Sequence, residues 1–172
     1  KVKSDALKVL LIDLSTYYVK EGDHREYNVV EPPLGLMALS TYINSTDLGE
    51  QIEIKIIKSF IDFNSNEELV NCIKEFGPDL LGFRTMTFYK NFFYDVISHI
   101  KKSQIKTPII VGGPYPTASY IEVLKDKNID LAVIAEGEIT FYEIIEKMLS
   151  NNKNFPSKEQ LATIDGVAFR NE

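Results

Sequence analysis

A chain of 172 residues, 44% hydrophobic and 26% charged, has globular composition and length for one sizeable core, so a single domain spanning 1–172 is expected. Lys and Arg number 19 against 25 Asp and Glu, a formal charge of -6; beyond Lys101-Lys102 and the scattered lysines of 1–8 the cations do not cluster, which argues against a nucleic-acid partner. The lone Cys72 excludes an internal disulfide framework and any iron–sulfur cluster held by this chain alone, and with no membrane span and no signal-peptide core a cytoplasmic location is expected.

Residues 8–14 form a short unbroken apolar run, the pattern of a strand buried on both faces. Pro32-Pro33 stops the polar, Tyr-rich stretch that follows and opens a helix through Leu34, Met37, Ala38, Tyr42 and Ile43, ending near Ser45. Residues 51–56 alternate polar and apolar, which predicts an edge strand with one buried face. Asn66 is placed to cap a helix bearing Leu69, Val70, Ile73 and Phe76, with Cys72 packed on it, and Gly77-Pro78 ends that helix.

A third strand is read over 79–83, and a third helix from the stripe Phe93, Val96, Ile97 and Ile100. Strands follow at 107–111 and 130–134, with a short helix around 118–124 between them. Phe141, Ile144, Ile145, Met148 and Leu149 define a fifth helix, and a polar stretch over 150–159 leads to a last strand at 166–169. Five βα units and a final strand predict a doubly wound, mostly parallel α/β sheet. Because the second strand reads as an edge, the flavodoxin-like (Rossmann-like) order 2-1-3-4-5 with an extra C-terminal strand is expected.

Ligands of such sheets bind at the carboxyl ends of the strands. Those ends carry Ser15-Thr16-Tyr17-Tyr18, Arg84-Thr85-Met86-Thr87, Gly112-Gly113-Pro114-Tyr115-Pro116-Thr117 and Glu136-Gly137-Glu138. A glycine pair where a strand stops lets a bulky ligand approach the backbone, though it equally serves a tight turn. Glu138 complements a helix dipole, Glu136 is free to accept a hydrogen bond from a ligand, and simple capping explains the pair as well. Thr85 and Thr87 offer hydroxyls and Met86 a soft apolar contact.

A phosphorylated receiver is excluded, because the third strand ends in Arg84-Thr85-Met86 where an aspartate would be required. A flavin phosphate loop is disfavoured by Tyr17-Tyr18 and the missing glycine, and neither a Gly-x-Gly-x-x-Gly nor a Walker lysine motif is present. His24 and His99 are the only histidines, which gives little support to a metal cluster or a hydrolytic triad, and no catalytic residue is assigned.

In order along the chain, residues 32–39 (Pro-Pro-Leu-Gly-Leu-Met-Ala-Leu), 82–87 (Gly-Phe-Arg-Thr-Met-Thr), 111–117 (Val-Gly-Gly-Pro-Tyr-Pro-Thr) and 136–141 (Glu-Gly-Glu-Ile-Thr-Phe) resemble the cobalamin (vitamin B12)-binding domain found at the N-terminus of many radical SAM enzymes. Residues 164–170 resemble the segment leading from that domain towards the radical SAM barrel. The resemblance implies cobalamin over the carboxyl edge of the sheet, its nucleotide tail in a groove beside Gly112 and Gly113. By the same resemblance Thr85, Met86 and Thr87 contact tail or corrin, Pro33, Leu34 and Gly35 open a helix near the corrin, Glu136, Gly137 and Glu138 border the cleft, and Thr16, Pro114 and Tyr115 complete the cofactor-binding set.

The resemblance further implies a partner: a radical SAM domain of the same polypeptide, C-terminal to this one. That domain would bring S-adenosylmethionine, a [4Fe-4S] cluster and the contacts to a small-molecule substrate, in an enzyme of methyltransferase or oxidative-cyclase type, while the isolated module binds without catalysing. Some cobalamin proteins carry Asp-x-His-x-x-Gly, whose histidine ligates cobalt; here Asp23-His24-Arg25-Glu26-Tyr27-Asn28 has the wrong spacing and no glycine, so no protein metal ligand is expected. A second reading stays open at this point. Tyr17, Tyr18 and Tyr115 could fill the corrin's space, leaving a cobalamin-free domain that docks a substrate or partner.

Overall fold

The apolar run near the start of the chain is buried on both sides, as its unbroken hydrophobicity requires. In β1 (Leu7–Asp13), Leu7, Val9 and Leu11 face one half of the core, and Leu10, Ile12 and the following Leu14 the other. The computed structural model describes residues 5–19 and 30–171. Around β1 it arranges β2 (Ile52–Lys58), β3 (Leu80–Arg84), β4 (Ile109–Gly112), β5 (Leu131–Val133) and β6 (Val167–Ala168) in the order β2-β1-β3-β4-β5-β6. The first five strands are parallel and β6 is antiparallel to β5, so the expected order with its extra C-terminal strand is the one observed.

Two layers of helices cover the sheet. On one face α1 (Leu34–Asn44) and α5 (Glu138–Ser150) bring Leu36, Ile43, Phe141, Ile144, Ile145 and Met148 against Val9, Leu11, Ile110 and Val133. On the other, α2 (Asn66–Phe76), α3 (Lys90–Lys102) and α4 (Pro114–Val123) pack Leu69, Ile73, Phe93, Val96, Ile97 and Val123 against Leu10, Ile12, Leu81, Phe83 and Val111. Among the described residues no helix is long and apolar enough to cross a membrane.

The structure corrects five local expectations. In α1 the buried residues are Leu36 and Ile43, while Leu34, Met37, Ala38 and Tyr42 are exposed, because the helix turns its Leu36 face to the sheet. The strand β2 runs on to Lys58, and its end is buried on the second face as well, through Ile57. Ser65, not Asn66, caps α2: its side chain accepts the Glu68 N–H, and Asn66 instead accepts a hydrogen bond from the Tyr18 hydroxyl. The helix after β4 begins at Pro114, four residues before its expected start, because proline is well suited to the first turn. Finally, the polar stretch over 150–159 ends in a short helix, α6 (Lys158–Leu161), nucleated by a Ser157–Gln160 capping box.

Ser65→Ala removes one acceptor from the first turn of α2 and is expected to lower stability by about 1 kcal/mol, measured by urea denaturation.

Candidate functional site

Between the N-terminal ends of α1 and α5, over the carboxyl ends of β3, β4 and β5, lies a cleft of about 370 Å³. Leu36, Leu39, Ile110, Val133 and Phe141 give it apolar walls, and Gly35, Gly112, Gly113 and Gly137 contribute backbone without side chains. At Gly112 an added Cβ would meet Val133 at an ordinary contact distance of 3.7 Å, so the backbone there tolerates a side chain and its absence keeps the cleft wall bare. Gly113 differs, because its φ of 96° is one that side-chain-bearing residues rarely adopt and a Cβ would stand 3.1 Å from Arg84 Cγ. The chain after β5 is also held in an unusual conformation. Ala135 has φ 62° and donates its N–H to Thr117 Oγ1 at 3.1 Å, which fixes the turn carrying Glu136 and Gly137.

Behind the cleft sits a charged network. Asp13 ends β1 with 1% side-chain exposure and lies between two cations, Lys58 Nζ at 3.2 Å and Arg84 Nη1 at 3.4 Å. Its Oδ1 also accepts the Ser15 N–H at 2.9 Å, and Lys58 donates to Ser15 Oγ at 2.6 Å. Parallel register explains the meeting, since Asp13 is the partner of Lys58 on one side and of Arg84 on the other. Arg84 is the cationic side chain that lines the cleft.

Seven of the fourteen residues singled out in the sequence line this cleft: Gly35, Gly112, Gly113, Pro114, Glu136, Gly137 and Glu138. The others stand elsewhere. Thr16 gives its carbonyl to Ser59 Oγ, and Pro33 and the exposed Leu34 lie at the entry to α1. Thr85 is fully buried, its carbonyl accepting the Tyr115 N–H at 3.4 Å, while Met86 is half-buried and Thr87 exposed in the turn that follows β3. Tyr115 turns away from the cleft into the core beneath α3 and α4, 4% exposed, and shares a 3.1 Å hydrogen bond with the Tyr94 hydroxyl. Burial and that bond push the Tyr94 phenol above the ordinary range.

Tyr17 and Tyr18 pack with Phe92 at ring distances of 5.4 and 4.7 Å, and Tyr17 also packs with Phe88. None of the three tyrosines lines the cleft, so they do not fill it. His24 lies outside the described residues. Asp13, Lys58 and Arg84 received no role from the sequence, since only the register of β2 and β3 on β1 brings them together.

The model of the B12 binding domain family matches residues 25–145. The chain is 27% identical over 167 residues to an uncharacterized methyltransferase of Pyrococcus horikoshii, covering 96% of this chain and 35% of that protein. It is 29% identical over 109 residues to the cytidylyl-2-hydroxyethylphosphonate methyltransferase of Streptomyces wedmorensis, covering 62% of this chain and 19% of that one. Among solved structures it superposes with TM-score 0.72 on the cobalamin-dependent S-adenosylmethionine radical enzyme OxsB, at 17% identity over 98% of this chain and 21% of that one. It superposes equally, at 16% identity over 97% of this chain and 29% of that one, on the radical S-adenosylmethionine methyltransferase TsrM from Kitasatospora setae, whose structure holds cobalamin and a [4Fe-4S] cluster. At such identity the structural likeness speaks to the fold alone.

Proposed function

The chain belongs to the B12 binding domain family, and on that premise we propose that it holds cobalamin as the cofactor module of a radical SAM methyltransferase. The observation that carries the reading is the cleft between α1 and α5, whose volume and glycine-lined walls suit the insertion of a flat, nucleotide-sized group. Around its mouth the fit continues. Leu34, Phe88 and Ile139, at the carboxyl rim of the sheet, expose large apolar surface that a corrin ring or a covering domain would bury.

Cobalamin, when bound, supplies a cobalt centre able to carry a methyl group. The chain's own residues hold and orient it. Gly112 and Gly113 admit the nucleotide tail, Leu36, Leu39 and Val133 enclose it, and Pro114, Gly137 and the two glutamates border its entrance. Pro33, Leu34 and Gly35 stand by the corrin, and Thr16, Met86 and Thr87 contact the cofactor from outside the cleft, while the buried Thr85 holds the start of α4 through its carbonyl.

S-adenosylmethionine, the [4Fe-4S] cluster and the substrate fall to a radical SAM domain that we place C-terminal in the same polypeptide. The chain spans 35% and 19% of its two methyltransferase-named relatives, which leaves room there for such a domain. Cys72 alone could not ligate the cluster. A reducing cytoplasm suits both the cluster and the free thiol.

Titrating the 172-residue protein with hydroxocobalamin, desalting it and recording the absorbance spectrum tests the proposal. About one retained corrin per chain is expected, and a colourless protein fraction would refute binding by this module.

A further inference from the structure

The charged network behind the cleft is unbalanced. Two cations, Lys58 and Arg84, share one carboxylate, that of Asp13, so this group carries one positive charge in excess. Lys58 is 6% exposed and Arg84 26%, so the excess reaches the outside through the arginine, at the cleft. Glu136 and Glu138 line the same cleft, yet among the described residues neither forms an ion pair with Arg84. Asp62 accepts the Lys58 backbone N–H with an exposed carboxylate and stands away from the cleft wall.

The arginine is also aimed. Its Cγ lies 3.1 Å and its Nε 3.9 Å from where side chains on Gly113 and Gly35 would begin, so the aliphatic stem passes the entry to α4 and the guanidinium edge faces the entry to α1. Those two helices and α5 start at the cleft with Pro33, Gly113 and Gly137 as caps, none of which offers a side-chain acceptor to the first-turn N–H groups. A permanently charged, donor-only fork anchored from behind matches an oxyanion better than a neutral amide, which would leave the charge uncompensated.

Resting on the proposed cobalamin reading, we propose that Arg84 binds the phosphodiester of the nucleotide tail, with Asp13 and Lys58 acting as positioning residues. The phosphodiester is the one oxyanion of cobalamin. A tail entering the glycine-lined cleft brings it past the guanidinium, and Asp13 limits the rotamers from which Arg84 can reach it.

Equilibrium dialysis of wild type and Arg84→Met against hydroxocobalamin, cobinamide phosphate (phosphate but no base) and cobinamide (neither) tests this. The substitution is expected to weaken the first two by about ten- to hundredfold and to leave cobinamide unchanged; Arg84→Lys should recover part of the loss. Asp13→Asn should weaken cobalamin binding in the wild-type background and have little effect in Arg84→Met, the coupling expected of a positioning residue. Circular dichroism confirms that each variant is folded before dialysis. Equal weakening of all three corrinoids, or of none, overturns the assignment to the phosphodiester while the retained cofactor upholds the module reading. A wild-type protein that retains no corrinoid removes that reading, and this inference with it.

Discussion

Gly112→Phe is expected to abolish corrin retention while shifting the thermal midpoint by no more than about 3 °C. The separation of the two effects follows from geometry. Gly112 ends β4 two residues after Ile110, so a side chain there points to the same face and into the cleft that Ile110 lines. A Cβ meets nothing closer than 3.7 Å, and the position has no positive φ, so the backbone accepts the substitution without strain. The ring would occupy the space proposed for the nucleotide tail. Gly113→Ala makes the opposite comparison, adding one methyl group at a φ of 96° and 3.1 Å from Arg84 Cγ. It is expected to cost about 1–3 kcal/mol of stability, read as a midpoint lowered by several degrees. If the phenylalanine variant retained a full equivalent of corrin, the cleft would not be the tail site.

Much of the architecture was legible because local and global signals agreed. The unbroken run of β1 demanded burial on both faces, and the alternation of β2 placed it at an edge, which together select the strand order observed. Helices α2, α3 and α5 announced themselves through apolar stripes that the sheet then buried. The helix α1 was harder. It is apolar around much of its circumference, so periodicity alone could not tell that Leu36 faces the sheet while Leu34 and Met37 face outwards. Tertiary contact with α5 decides that orientation, and no property of residues 34–44 taken by themselves encodes it.

The candidate site divides along the same line. Glycines at strand ends are conspicuous because backbone exposure is a local property, and Gly112, Gly113 and Gly137 do line the cleft. Tyr115 was equally conspicuous and points the other way, since Pro114 starts α4 at once and the helix turns the ring beneath α3 and α4. The Asp13–Lys58–Arg84 network was invisible for a different reason. Its members are 45 and 71 positions apart in sequence, and only the parallel register of β2 and β3 on β1 brings their side chains together.

That network yields the largest stability effect we expect. Among the described residues, Asp13→Ala leaves the Lys58 ammonium, 6% exposed, with Ser15 Oγ as its remaining side-chain partner and no counter-charge. Removing one partner of a buried pair costs about 3–5 kcal/mol, because the surviving charge keeps its desolvation penalty and loses the attraction that offset it. For a chain of this length the thermal midpoint should fall by on the order of 10 °C. Lys58→Met added to Asp13→Ala withdraws the stranded charge along with the carboxylate and is expected to recover more than half of the loss. Full recovery is not expected, since the Ser15 N–H also loses its acceptor and Arg84 its anchor. Urea denaturation of the two single variants and the double variant measures the coupling. Additive losses would mean that Asp13 and Lys58 stabilise the carboxyl edge independently, and the arginine would then need another explanation for its place at the cleft.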